Sequence, residues 1–385
     1  MIGRTRGLLV RPPCQIDTDH NNMNSYKAAT DGCREDDVVR AWPFKEHPTG
    51  WHMVDWSWKL QPGEVKSLKL FGSDVVLYRT ADGVVNMFDA YCPHLGAHLG
   101  HGGCVKGEIL KCPWHGWEWG LEGNNTHIPY IEDTHKTATL KRWAARDVDG
   151  LVIVWYDAWG RPPQWEWDGV PEFKDTENYY SIEDGAHYYG VMPIKAQSGV
   201  ENLADALHFP FVHGSSEPGE MVYWHEKGHY LRGDFKLLFG GGKEKTWLTP
   251  NGPTYGVIET ESWGLGLGVA RFRIEDLVVA QMICMTPVDD ENSMVFSTIA
   301  STRLPGHPDK PGGRSKGLMD AQFMQVQNDF RIWTNQTYVQ KPLFVGAERE
   351  WYVKLRLWAR QFYTEPDPDN GDREYLWTKE MEEQK

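Results

Sequence analysis

Two short stretches, Cys92-Pro93-His94-Leu95-Gly96 and Cys112-Pro113-Trp114-His115-Gly116, carry most of the information about this chain. Each places a cysteine and a histidine close together, as C-x-H in the first and C-x-x-H in the second, with 17 residues between His94 and Cys112. Glycines flank both stretches, as is typical of loops that turn sharply. Two such loops can present two thiolates and two imidazoles to one metal centre.

The spacing of these residues bears on which metal centre they would hold. Structural zinc sites usually separate paired ligands by two to four residues, whereas the first pair here is separated by one. A [2Fe–2S] cluster with cysteines on one iron and histidines on the other suits the pattern better. The alternatives are a zinc site and unrelated cysteines and histidines, although chance would have to produce this spacing twice.

The sequence around these loops has the pattern of a β domain. Runs rich in Val, Leu and aromatic residues occupy 65–71, 75–78, 84–88 and 151–156, and turn-forming residues at 72–73 and 81–83 separate the first three. Residues 160–163 (GRPP) have the composition of a linker. We therefore predict a polar extension over 1–40, an all-β metal-binding domain over 41–160 and a second domain over 161–385.

The second domain mixes strands and helices. Strand-like runs at 269–274, 277–285 and 294–300 precede two helical segments at about 317–338 and 344–362. Strands followed by helices favour an α+β fold with an antiparallel sheet over a doubly wound sheet. The glycine-rich stretches at 240–243 and 264–268 lack the context of a nucleotide-binding motif. If the chemistry needs NAD(P)H, another protein must therefore bind it.

A second group of possible ligands lies in the run ENLADALHFPFVH, residues 201–213. Asp205 and His208 are three residues apart and would share one face of a helix over 201–207. Pro210 would break that helix and bring His213 back to the same face. Two histidines beside a carboxylate begin a 2-His-1-carboxylate iron site. Taken alone, two unrelated histidines at a helix end explain this pattern at least as well.

The third ligand of such a site would be Asp329. The helix predicted at about 317–338 carries an apolar stripe of Phe323, Val326, Phe330 and Trp333. Asp329 falls on that stripe, and burying an ionised carboxylate costs several kcal/mol unless a cation compensates. Iron would be that cation. A salt bridge to Arg331, or a solvated position at the edge of the stripe, is the alternative.

These motifs resemble those of Rieske non-haem iron oxygenases, including the order of the two sites and the distance between them. The C-terminal stretches 327–333, 341–343, 355–358 and 361–363 are similar to those of the 3-ketosteroid 9α-hydroxylase family. The resemblance implies a helix-grip-like catalytic domain after the Rieske domain. It also implies two ligand sets: Cys92, His94, Cys112 and His115 for a [2Fe–2S] cluster, and His208, His213 and Asp329 for a mononuclear Fe(2+).

The resemblance further implies how electrons reach the iron. Asp205 would bridge an iron-site histidine to a cluster histidine of a neighbouring subunit, and the resemblance implies a head-to-tail homotrimer, whose heterologous interface closes into a ring. A separate reductase or ferredoxin would supply the electrons. The enzyme would be the terminal component of a monooxygenase that uses O₂ to hydroxylate an apolar polycyclic substrate, such as a 3-ketosteroid in steroid metabolism.

Two other functions fit the same motifs. One is a Rieske monooxygenase or demethylase of a smaller aromatic or terpenoid substrate, and the other is a Rieske electron-transfer protein whose second domain docks partners. Aromatic residues of the second domain are candidates for a substrate pocket, although each also suits an ordinary core position: Trp224, Phe239, Trp247, Tyr255, Phe272 and Phe296.

Composition limits the possible partners and location. The net charge of −14 disfavours nucleic-acid binding, which depends on Lys and Arg. No apolar run approaches the ~18 residues of a membrane span, and the apolar stretch near the N-terminus is too short for a signal peptide. We therefore expect a cytoplasmic protein with no membrane and no nucleic-acid partner.

Overall fold

In the computed structural model, the described residues are 42–240, 246, 248–346 and 348–364. The predicted extension over 1–40 and the pocket candidate Trp247 lie outside them. Among the described residues, no helix is long and apolar enough to cross a membrane.

The N-terminal part consists of three small antiparallel sheets, with strand orders β1-β11-β10, β2-β3-β4-β9 and β5-β6-β7-β8. The strands are β1 Gly50–Trp56, β2 Val65–Leu70, β3 Ser73–Arg79, β4 Val85–Asp89, β5 Cys104–Lys106, β6 Ile109–Lys111, β7 Glu118–Trp119, β8 Asn125–His127, β9 Arg142–Trp143, β10 Ala145–Val148 and β11 Leu151–Tyr156.

The hairpin between β2 and β3 shows how local sequence sets this part of the fold. Leu70 pairs with Ser73, so the turn consists of Phe71 and Gly72, one residue earlier than predicted. Both turn residues have positive φ, 50° and 74°, as a two-residue turn of type I′ requires. Phe71 tolerates this conformation because its ring packs into the core against Tyr156, with ring centroids 4.1 Å apart.

The C-terminal part contains one seven-stranded antiparallel sheet of order β12-β18-β17-β16-β15-β14-β13, together with helices. Its strands are β12 Ala186–Met192, β13 Glu220–Lys227, β14 Tyr230–Phe239, β15 Thr254–Trp263, β16 Leu267–Ile274, β17 Leu277–Pro287 and β18 Ser293–Ser301. The α-helices are α1 Pro171–Lys174, α2 Ala196–Glu201, α3 Phe209–Val212, α4 Gly313–Trp333 and α5 Glu348–Arg360. This architecture confirms the predicted α+β fold class.

Strand β18 explains how the two parts are joined, because all nine of its residues are buried. Alternate side chains of a strand point to opposite faces of the sheet. Phe296 faces the N-terminal part and packs against Trp56, whereas Val295 belongs to the hydrophobic cluster that includes Val326 of α4. One face of the sheet therefore packs on the N-terminal part, and the other lies under α4.

Candidate metal centres and substrate cavity

The two cysteine–histidine loops adopt the same backbone structure. In the first, Cys92 N donates to Ala97 O (2.9 Å) and Gly96 N donates to Cys92 O (2.9 Å). In the second, Cys112 N donates to Trp117 O (2.8 Å) and Gly116 N donates to Cys112 O (3.2 Å). Gly96 and Gly116 have φ of 75° and 71°, a conformation that favours glycine. The flanking glycines noted in the sequence thus shape both loops.

These loops bring four possible ligands together. The Cys92 and Cys112 thiols are buried and not joined in a disulfide. Burial and the neighbouring Cys112 thiol raise the pKa of Cys92 to about 11. The His94 and His115 rings lie 4.7 Å apart between centroids and are half-buried. Sulfur ligands inside and imidazoles at the surface fit a cluster whose outer iron carries the histidines.

Trp119 supports this fit and was not singled out in the sequence. Its indole N–H is buried without a hydrogen-bond partner among the described residues. Trp119 also lowers the pKa of Cys92, against the larger effect of burial, and so favours the thiolate form. A buried donor needs an acceptor, and thiolates or sulfides of a bound cluster would provide one.

The second site consists of His208, His213 and Asp329, whose potential ligand atoms all lie within 4.8 Å of one another. The Nε2 atoms of the two histidines are 3.1 Å apart. His213 Nε2 is 3.3 Å from Asp329 Oδ1. Asp329 is only 6 % exposed and lies against His213, whereas Arg331 is exposed. The structure therefore brings together the three residues predicted from the sequence.

The hydrogen bonds behind these histidines indicate that a cation belongs between them. His208 Nδ1 donates to the backbone carbonyl of Asp205 (2.7 Å), and His213 Nδ1 donates to Gln325 Oε1 (2.9 Å). A neutral imidazole with its proton on Nδ1 has a bare lone pair on Nε2. Two such lone pairs and a carboxylate oxygen then converge without a donor. A metal ion resolves this arrangement, and two nitrogens with one oxygen suit non-haem iron.

The backbone that carries these histidines differs from the one predicted. The proposed single helix over 201–207 is wrong, because α2 ends at Glu201, a 3₁₀ turn covers Asn202–Ala204 and Asp205 is extended (φ −106°, ψ 91°). Pro210 does not break a helix but lies in the first turn of α3, where proline is tolerated. His208 and His213 flank this short helix, which turns both side chains inward.

The Asp205 carboxylate does not orient His208 directly. Its Oδ1 accepts from the backbone N–H groups of Leu207 (3.0 Å) and His208 (3.2 Å), and its Oδ2 accepts from the Tyr352 hydroxyl (3.0 Å). Oδ1 lies 3.7 Å from His208 Nδ1. Burial opposes ionisation, but the contacts from His208 and Tyr352 hold the pKa of Asp205 below its usual value. Tyr352 is a further residue that the sequence did not reveal.

A cavity of about 350 Å³ adjoins the His208–His213–Asp329 site, within the ~300–1,000 Å³ range of pockets that hold drug-sized ligands. It lies between the seven-stranded sheet and α4. Most of its lining is apolar, including Leu203, Phe209, Phe235, Leu237, Phe239, Ile258, Phe272, Met285, Leu318 and Trp333. An apolar cavity next to a polar metal site suits a substrate that is largely hydrocarbon.

Only some of the aromatic residues predicted to form a substrate pocket line this cavity. Phe239 and Phe272 line it. Trp224 packs against Trp351, and Tyr255 is 55 % exposed. Phe296 lies on the opposite face of the sheet, in the core shared with the N-terminal part.

A β domain with a buried thiol pair and two imidazoles, followed by an α+β domain with an N,N,O site beside a cavity, defines a two-centre iron protein. Comparison with known families agrees. The Rieske [2Fe-2S] domain matches residues 50–143, and the 3-Ketosteroid 9alpha-hydroxylase C-terminal domain matches residues 154–363. The chain belongs to the Rieske oxygenases with this C-terminal domain, which carry a [2Fe–2S] cluster and a mononuclear iron.

Individual relatives cover most of the chain. Cholesterol 7-desaturase nvd of Hemicentrotus pulcherrimus is 30 % identical over 85 % of this chain and 72 % of its own length. The oxygenase component of 3-ketosteroid-9-alpha-monooxygenase of Rhodococcus rhodochrous is 29 % identical over 84 % of this chain and 83 % of its own. The solved structure of Pseudomonas putida CBB5 NdmA with caffeine has a TM-score of 0.63 at 17 % identity, covering 80 % and 89 % of the two chains, which shows a shared fold.

Proposed function

We propose that this chain is the terminal oxygenase of a monooxygenase that acts on the ring system of a steroid, of the 3-ketosteroid 9α-hydroxylase type. The apolar cavity beside His208, His213 and Asp329 carries this proposal. The substrate class rests on the relatives, since those at 28–30 % identity over most of the chain are named for cholesterol or for a 3-ketosteroid.

The geometry of the two sites supports the ligand roles that we propose. Cys92, His94, Cys112 and His115 would hold the [2Fe–2S] cluster, and His208, His213 and Asp329 the mononuclear iron. When bound, the cluster supplies single electrons and the iron supplies O₂ activation. Gln325 and the Asp205 carbonyl fix the tautomer and orientation of the two iron-site histidines. The mostly apolar lining of the cavity favours contact with a hydrocarbon substrate over contact with water.

Asp205 is proposed to carry electrons between subunits of a head-to-tail trimer. Cys92 and Cys112 pack in a hydrophobic cluster formed only by N-terminal residues, so the two centres lie in separate cores. Exposed apolar side chains flank each centre: Leu95 (58 %) and Trp114 (60 %) beside the cluster histidines, and Phe211 (87 %) beside the iron ligands. Such side chains often mark protein interfaces. This arrangement supports contact between the cluster of one chain and the iron site of the next.

Co-expression of two defective variants tests this transfer. Cys92→Ser removes a cluster ligand and Asp329→Ala removes an iron ligand, so each variant alone should be inactive. In mixed oligomers, a cluster of the Asp329→Ala chain can serve the iron site of a Cys92→Ser neighbour, and activity should return in part. If mixed oligomers form and stay inactive, transfer between subunits is excluded.

We also propose a domain boundary near residue 160, after β11 closes its sheet against β1. A separate reductase is part of the proposal, because the relatives are named as oxygenase components.

The cytoplasmic location expected from the sequence stays a prediction.

Desaturation of a sterol ring is the second candidate reaction, because the relative at 30 % identity is a cholesterol 7-desaturase. Purified oxygenase with a compatible reductase, NADH and O₂ should be supplied with a 3-oxo steroid and with cholesterol. Gain of one oxygen atom supports hydroxylation, and loss of two hydrogen atoms supports desaturation. Absence of steroid-dependent O₂ uptake, with turnover of a small aromatic or terpenoid instead, would overturn the steroid proposal.

Iron analysis separates an oxygenase from an electron carrier. The ligand sets predict about three irons per chain, two in the cluster and one at the mononuclear site. A preparation that holds only the two cluster irons after anaerobic loading with Fe(II) would favour the electron-transfer alternative. Bound zinc at Cys92 and Cys112 would contradict the cluster itself.

A further inference from the structure

One polar side chain of the cavity has no role in the metal site. Gln322 of α4 lines the cavity, is only 8 % exposed and makes no side-chain hydrogen bond with the described residues. A buried amide without a partner is unfavourable, so buried polar groups are nearly always paired. The amide atoms of Gln322 are not cut off from accessible space, so water or a ligand in the cavity that Gln322 lines can supply the partner.

The other amides of the cavity differ from Gln322. Gln325 accepts from His213 Nδ1, and Gln281 donates to Ser297 Oγ at 3.1 Å. Asn202 is only half-buried, and it also lines a smaller cavity beside Asp205. Gln322 is thus the deeply buried amide whose hydrogen-bonding groups are all available to a ligand.

The position of Gln322 relative to the metal site is set by the helix. Gln322 and Asp329 are seven residues apart on α4 and both are buried, so they share one face of the helix. At 1.5 Å per residue, their backbones are separated by about 10 Å along the helix axis. A ligand that contacts both must therefore be elongated and mostly apolar, with one polar group at the end away from the metal.

We propose that Gln322 is the specificity-determining residue that hydrogen-bonds the ring-A oxygen of the substrate, and so places a distant C–H bond at the iron. This inference rests on the proposed steroid function and adds the recognition of one substituent. Gln offers both an N–H donor and a C=O acceptor, so the same side chain can bind a 3-ketone or a 3-hydroxyl group. Because fused rings are rigid, a hydrogen bond at position 3 sets how far rings B and C lie from Gln322, and contact with the apolar cavity lining limits their orientation.

The test measures binding to the iron- and cluster-loaded protein under anaerobic conditions, which is independent of turnover. Equilibrium dialysis compares progesterone with its 3-deoxy counterpart, and cholesterol with cholest-5-ene, which lacks the 3-hydroxyl group. The variants are Gln322→Met, which keeps the side-chain length, and Gln322→Leu. The matched control is Gln327→Leu, since Gln327 lies on the same helix but is exposed. Cluster absorbance and iron content verify that each variant is folded.

The wild-type protein and Gln327→Leu should bind the oxygenated member of at least one pair about tenfold more tightly than the deoxy member. Both Gln322 variants should lose most of that preference while still binding the deoxy steroid, and in turnover they should give a mixture of oxidation positions. If the progesterone pair shows the preference, Gln322 binds a 3-ketone; if the cholesterol pair shows it, Gln322 binds a 3-hydroxyl group. A preference retained in both Gln322 variants overturns this inference and leaves the proposed function standing. Failure of the wild type to bind any of the four steroids overturns both.

Discussion

Replacement of Gln325 by leucine tests whether the residues behind the histidines prepare the iron site. Gln325 Oε1 accepts the Nδ1 proton of His213 at 2.9 Å and also receives a longer contact from Asn328 Nδ2 at 3.4 Å. In Gln325→Leu, the His213 N–H loses its acceptor in a half-buried position. The imidazole can then move its proton to Nε2, the atom that would bind iron.

The size of the effect follows from this one hydrogen bond. Once His213 binds a cation, its Nδ1–H becomes a charge-assisted donor, and hydrogen bonds to charged groups contribute about 1.5–3 kcal/mol. That range corresponds to a loss of about 10- to 100-fold in affinity for Fe(II). Removal of residues that orient metal-bound histidines in other proteins costs about the same. Gln325→Glu should retain iron, because a carboxylate also accepts the Nδ1 proton.

Anaerobic dialysis of the cluster-loaded protein against buffered Fe(II) measures this affinity. Gln327→Leu is the control, because it makes the same change on the exposed face of α4. Cluster absorbance should not change in any variant. If Gln325→Leu binds Fe(II) as tightly as the wild type, the orientation of His213 does not depend on this amide, and the tautomer argument for a cation between the histidines fails.

Further predictions concern the groups around the iron site. Asp205→Asn should leave both metals bound yet abolish nearly all turnover; near-normal turnover would refute the bridging role. Asp329→Ala should lose the mononuclear iron with the cluster spectrum intact, and retained iron would place the third ligand elsewhere. Tyr352→Phe should reduce turnover by about tenfold or less without loss of iron, since the backbone N–H groups still hold the other Asp205 oxygen; an effect as large as that of Asp205→Asn would mean that Tyr352 does more than position the carboxylate. Although burial opposes it, Asp329 raises the pKa of His213 above its ordinary value, and protons compete with iron for Nε2. Fe(II) affinity should therefore fall as the pH falls from about 8 to about 6, and a pH-independent dialysis series would contradict this.

The fold was predictable where local sequence and the period-2 pattern agree. Strand β11 begins and ends where the apolar run 151–156 does. The iron-site segment was not predictable in the same way. Asp205 interrupts the helical pattern because its carboxylate binds the backbone N–H groups of Leu207 and His208, and such local bonds compete with helix formation. The wrong helix prediction did not affect the choice of candidate ligands. A metal ion requires only that the ligand atoms converge on one point, whatever backbone structure carries them.

Part of the candidate site was predictable, because a charged residue within an apolar stretch of sequence stands out. Asp329 interrupts an apolar stripe and was found for that reason. Gln322 and Gln325 lie on the same helix, but glutamine is common on solvated surfaces, and sequence periodicity does not distinguish a cavity from bulk water. Tyr352 was hidden for another reason: its partner Asp205 is 147 residues away in sequence, and only the packing of α5 near α2 brings the two together.

Helix α4 explains why these residues can act together. Asp329, Gln325 and Gln322 lie at spacings of four and three residues, so they follow one face of a single 21-residue helix. A packed helix moves as a rigid body, and its buried side holds Leu318 and Val326 against the sheet. The distance between Asp329, the proposed metal ligand, and Gln322, the proposed steroid anchor, is therefore fixed by helix geometry rather than by a loop. An insertion of one residue between Gln322 and Gln325 would rotate the anchor by about 100° away from the cavity without touching the metal ligands. Recognition and oxidation would then separate: steroid preference would be lost while Fe(II) binding persisted.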